Sequence, residues 1–127
     1  MSAADLLGRI IATLDQSGIP HMLTGSFAAS FHGAPRATQD IDLVIAPTFP
    51  QLRTLLSALP PDEFYAPLEA ASEALRDETM FNLIDLRSGW KVDCIIRRSR
   101  PFSRAEFDRR QPVQFMGHIL AIATGRT

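Results

Sequence analysis

Residues 24–44 read TGSFAASFHGAPRATQDIDLV, and the fold is decided by how this stretch is read. Gly25-Ser26 opens a predicted helix, Arg36 and Thr38 follow in a loop, and Asp40-Ile41-Asp42 begins a predicted strand. Side chains two residues apart on a strand share a face. Asp40 and Asp42 therefore set two carboxylates on one face of a segment that otherwise runs Ile41, Leu43, Val44, Ile45. Apolar residues on both faces mark a central strand. Charge in such a place is costly unless compensated, so the pair asks for a cation. Glycine lets a phosphate approach the backbone, and the N–H groups and dipole of a helix N-terminus attract anions. Ser26 adds a hydroxyl donor, although Gly-Ser before a helix is also an ordinary cap. A phosphate-binding turn followed by a metal-binding pair points to a protein that handles nucleoside triphosphates.

Working outward, Leu6, Leu7, Ile10, Ile11 and Leu14 recur at helical spacing over 3–17, and Gly18 and Pro20 end that helix. His21–Thr24 reads as a short strand, Ser26–His32 as a helix stopped by Gly33, and 34–39 as a loop. Asp40–Ala46 is the clearest strand. Phe49–Leu59 returns to helical spacing and is broken by Pro60-Pro61. Pro67–Glu78 is a further predicted helix. Met80–Arg87 and Trp90–Arg97 form a hairpin around Ser88-Gly89. Phe102–Arg110 reads as a short helix, with Ser103 and Glu106 at capping-box spacing. Val113–Phe115 and Ile119–Ile122 are a last pair of strands. This order predicts an α/β (α+β) chain, a mixed β-sheet flanked by helices.

The chain has 127 residues, 46% of them hydrophobic and 21% charged, as expected of one globular domain over 1–127. The net charge of −1 gives no whole-molecule field toward nucleic acid or anionic membrane. Of the 13 basic residues only Lys91 is not arginine, and Arg97, Arg98, Arg100, Arg104, Arg109 and Arg110 crowd one segment. Arginine suits bidentate phosphate contact, and a run of this kind is also commonly a solvated face. A single cysteine, Cys94, fits a reducing compartment. No segment approaches the length of a membrane span, so a cytoplasmic protein with no membrane partner is expected.

A third acid lies in Trp90–Ile96, where Lys91 and Asp93 share one face and Val92 and Cys94 the other. Asp93 could serve as general base on an attacking hydroxyl and complete a metal-ligand set. Lys91 either meets a phosphate or neutralises Asp93. Asp85 is the rival acid on the neighbouring strand, and the apolar flanks of Asp93 favour Asp93. His21, His32 and His118 share no metal-ligand spacing, and Phe81 and Trp90 read as core.

Together, Gly25-Ser26, Arg36-x-Thr38-x-Asp40-Ile41-Asp42-Leu43 and the later Val92-Asp93 resemble the DNA polymerase β-like nucleotidyltransferase superfamily. The spelling GSFAASFHG…RATQDIDLVI is most similar to the bacterial branch that includes the toxins of AbiE-type toxin–antitoxin systems. The resemblance covers residues 20–97. It implies transfer of a nucleoside monophosphate from an NTP to a hydroxyl acceptor (RNA, protein or a small molecule), with pyrophosphate released. It implies Mg²⁺ or Mn²⁺, two ions, held by Asp40, Asp42 and Asp93, with Asp93 also the base. Gly25 and Ser26 would hold the triphosphate, and Arg36 and Thr38 would contact phosphate or brace the acid strand. Relatives of this kind continue into a helical C-terminal region, so the expectation here is a minimal domain that lacks it, is truncated, or borrows a partner protein or a second copy. The competing expectation is a non-catalytic module that binds a nucleotide or a partner protein, for instance within a toxin–antitoxin pair.

Overall fold

The structure is a computed structural model that describes residues 3–24, 40–115 and 118–122. Its elements are α1 (Ala3–Gln16), β1 (His21–Leu23), β2 (Asp40–Ile45), α2 (Phe49–Ser57), β3 (Phe64–Tyr65), α3 (Leu68–Asp77), β4 (Met80–Asp85), β5 (Lys91–Ile96), α4 (Pro101–Asp108), β6 (Gln111–Phe115) and β7 (His118–Ile122). The strands form one seven-stranded sheet in the order β3-β4-β5-β2-β1-β7-β6. β2 pairs in parallel with β5 and β1 in parallel with β7, and the remaining pairs are antiparallel. The expected mixed sheet flanked by helices is therefore present, with β2 and β5 near its centre. The helix predicted over Ser26–His32 and the loop over 34–39 lie outside the described residues.

One face of the sheet is closed. Ile41, Leu43 and Ile45 of β2, Leu83 of β4 and Cys94 of β5 join Leu7, Ile10 and Leu14 of α1, Leu52 and Leu55 of α2 and Ala71 and Ala74 of α3 in a continuous core. Burial alternates strictly along β4 and β5, with every second residue buried and the rest partly or fully exposed. That alternation is what a sheet with one packed face produces. α4 borders the other face, where Met22 and Phe107 are buried outside the main core.

Local chemistry sets the element ends. Gly18 closes α1 with φ +75°, a left-handed conformation that suits glycine. Its carbonyl accepts from Gln51 Nε2 at 2.9 Å. The same Gln51 completes a capping box: its N–H donates to Thr48 Oγ1, and its Oε1 accepts from the Thr48 N–H. One side chain thus starts α2 and fastens it to the end of α1. Glu78, also left-handed at φ 55°, ends α3. Its carboxylate accepts from the Ser99 N–H and hydroxyl, and these hydrogen bonds, helped by the charges of Arg98 and Arg97, hold its carboxyl below the usual range.

Two predicted details differ. The Ser103–Glu106 capping box does not form. Arg100 is the N-cap of α4, without a side-chain cap, and Pro101 takes the first helical position. Proline is pre-organised there and lacks the N–H that would go unpaired. β3 was not predicted. Its two residues pair with the edge of β4, Phe64 with Asp85 and Tyr65 with Ile84, and are too few to show any alternation.

Leu43→Ala, which empties a fully buried site, is expected to cost about 2–5 kcal/mol in denaturant titration, against less than about 0.5 kcal/mol for the exposed Leu86→Ala. Thr48→Ala, which breaks the capping box, should cost about 1 kcal/mol by the same measurement. Because the folded-state carboxyl of Glu78 is held low, its tether to Ser99 persists above the ordinary carboxylate range. The tether is lost as pH falls through the lowered value, which acid titration of the Glu78 side chain by NMR would follow.

Candidate functional site

The sequence places Asp42 and Asp93 fifty-one positions apart, and the sheet makes them neighbours. In the parallel pairing of β2 with β5, Asp42 stands opposite Asp93, between the pairs Ile41–Val92 and Leu43–Cys94. Those four flanking side chains are buried in the core. By alternation Asp42 and Asp93 both lie on the opposite face, where each is half-buried. Neighbouring strands run about 4.8 Å apart, so the two carboxylates leave the sheet side by side.

β4 extends the row. Asn82 stands opposite Asp93 in the antiparallel pairing of β4 with β5. Its Nδ2 donates to Asp93 Oδ1, which fixes the orientation of that carboxylate. On the other flank the Thr24 N–H donates to the Asp42 carbonyl at 3.1 Å. Thr24 is the last described residue before Gly25, so the chain entering the Gly-Ser segment is anchored beside Asp42. Lys91 is exposed, shares the Asp93 face of β5, and is the register partner of Asp40. For Asp40 the backbone is described and the side chain is not. Gly25, Ser26, Arg36 and Thr38 lie outside the described residues.

Two ionised carboxylates about 5 Å apart repel by roughly 3 kcal/mol at an effective dielectric near 20. Hard carboxylate oxygens on adjacent rigid strands suit a small divalent cation, and an amide that orients one of them is the kind of outer partner such sites use. Among the described residues no group of three His, Cys, Asp or Glu is gathered as for a metal ion. Asp40, the remaining member of the expected acid set, has its side chain outside them.

Other candidates resolve into structural parts. Asp85, the rival acid, is buried on the core side, where it accepts from the Ser88 hydroxyl and the Arg87 N–H and shapes the β4–β5 turn. His21 is buried with Nδ1 3.0 Å from the Ile19 carbonyl. The side chains of His32 and His118 are not described. Phe81 lies in the core and Trp90 packs against it. Cys94 is fully buried, and burial, with a smaller push from the Asp93 charge, raises its thiol well above the ordinary range. The sequence reading passed over Asn82. The available signal was an amide at an alternating position of a strand whose partner strand carries Asp93.

No protein-family model matches the chain, and none of the curated proteins matches its sequence.

Asn82→Ala, which removes a donor to a half-buried carboxylate, should cost about 1.5–3 kcal/mol in denaturant titration. Combined with Asp93→Asn, its cost should fall short of the sum of the two single changes. Cys94 should resist thiol-modifying reagents in the folded protein at neutral pH and react once the chain is unfolded.

Proposed function

We propose that this chain is a divalent-metal-dependent nucleotidyltransferase that moves a nucleoside monophosphate from an NTP to a hydroxyl acceptor. The observation that carries the reading is the lateral pairing of Asp42 with Asp93 on the face of β2 and β5 opposite the core, oriented by Asn82 and bordered by the strand that leads to Gly25-Ser26. The donor set fits the cation that the chemistry asks for: oxygen ligands, side by side, on hydrogen-bonded neighbouring strands. Asp42 and Asp93, with Asp40, would hold Mg²⁺ or Mn²⁺. Bound there, the ions would neutralise triphosphate charge and favour pyrophosphate as leaving group.

The chain's own groups then have separate tasks. Gly25 and Ser26 bind the triphosphate through backbone N–H groups and a hydroxyl. Arg36, Thr38 and Lys91 contact phosphate oxygens around it. Asp93 accepts the proton of the acceptor hydroxyl on a carboxylate oxygen, in an orientation held by Asn82. No covalent nucleophile is required, because positioning and charge stabilisation supply most of the acceleration in such transfers.

The test is calorimetry with Mn²⁺ and each NTP, followed by incubation with each α-labelled NTP and total cell RNA, protein and small molecules. Metal-dependent triphosphate binding and a labelled acceptor are expected. Asp93→Asn should lower transfer by roughly 10²–10⁴-fold, the usual contribution of a general base. Asp42→Asn should weaken metal-dependent binding. Triphosphate binding without transfer to any acceptor would make the chain a nucleotide-binding module instead. Absence of metal-dependent triphosphate binding would end both readings.

A further inference from the structure

Beyond the aspartate row, the same face of the sheet continues into a cleft of about 270 Å³ at the N-terminus of α4. Its floor is apolar: Met22, Val44 and Ile95, on β1, β2 and β5, sit two residues along the strands from the Asp42–Asp93 pair. Arg97, Arg98 and Arg100 also line it, with Phe102 and Ser103 of α4. We infer that this cleft binds a small phosphate monoester whose organic part is flat or apolar.

Three observations converge on that ligand. Among the described residues none of Arg97, Arg98 or Arg100 is in a salt bridge. Arg97 Nε is buried without a hydrogen-bond partner. That N–H has almost no accessible surface, so a ligand in the cleft would meet the other N–H groups of the guanidinium. α4 begins here with no side-chain cap, so the N–H groups of Phe102 and Ser103 in its first turn add donors at a positive helix end. The arginines are also held in place. The Arg97 N–H donates to the Ile45 carbonyl at 2.8 Å, Ser99 is tethered to Glu78, and Arg104 donates to the Arg100 carbonyl to start the helix. The Arg97 guanidinium lies 5.6 Å from the centre of the buried Phe107 ring.

The same walls define the rest of the ligand. An apolar floor beside Phe102, which is 73% exposed, offers a surface on which a ring can stack. Glu106 also lines the cleft, and its carboxylate disfavours an anion placed against it. The volume is near the lower limit for ligand pockets, room for one phosphate and one ring system rather than a long chain. The site stands on these residues alone and does not depend on nucleotidyl transfer.

The experiment is titration of the intact chain with phenyl phosphate, inorganic phosphate and phenol, by calorimetry in EDTA. The chelator removes divalent metal, so binding at the aspartate row is not read. Phenyl phosphate should bind saturably in the millimolar range or better and about 10-fold more tightly than inorganic phosphate, and phenol should not bind. Arg98→Ala and Arg100→Ala, both at exposed positions, should each weaken phenyl phosphate by about 10-fold. Phe102→Ala should remove the preference for the ring and leave inorganic phosphate unchanged. The inference is overturned if phenyl phosphate does not bind, if phenol binds as well, or if the two arginine variants bind unchanged. It would stand even if no transferase activity were found.

Discussion

The in-register parallel pairing of β2 with β5 is the constraint on which the rest of the structure depends. It joins the two halves of the sheet and sets Ile41, Leu43 and Ile45 beside Val92, Cys94 and Ile96 over the core. A slip of one residue would reverse every side chain of one strand. Asp42 would then enter a fully apolar core and a leucine would face outward. The free energy of burying six apolar side chains in register therefore also fixes where the two carboxylates emerge. The site needs no dedicated element to assemble it.

The two faces divide the labour. α1, α2 and α3 close one face with a continuous apolar core. Gln51 couples two of those helices by capping one and holding the carbonyl that ends the other. The opposite face is left to polar chemistry and is graded along the strands. One row carries Asn82, Asp93 and Asp42. Two residues further on, the floor becomes Val44, Ile95 and Met22 and then meets the arginines that precede α4. An acidic row suited to cations thus adjoins an arginine-lined cleft suited to anions on one surface.

Much of this was legible because it is written in short-range periodicity. The 3.6-residue spacing in Leu6–Leu14 and Leu52–Leu59 and the alternation in Met80–Asp85 and Lys91–Ile96 each reflect one buried face, so the helices and strands could be placed. β3 escaped because two residues have no period. The cap of α4 was misplaced because Ser103 and Glu106 have the right spacing, while Pro101 begins the helix two residues earlier. Asp85 and Asp93 look equivalent by type, and the apolar flanks separated them. Asp85 sits on the core side, hydrogen-bonded to the turn, and Asp93 sits on the opposite face. Asn82 was invisible as a partner because its importance lies in another strand.

By itself the sequence determined the element types, the central place of Asp40–Ile45 and the shared face of residues 91 and 93, since each follows from local alternation and composition. Tertiary structure alone decided that Asp42 meets Asp93, that Asn82 orients that acid, and that three arginines beyond β5 share a cleft with residues of β1 and β2. Strand order and register are long-range quantities, set by how whole faces pack, and no local pattern encodes which strand lies beside which.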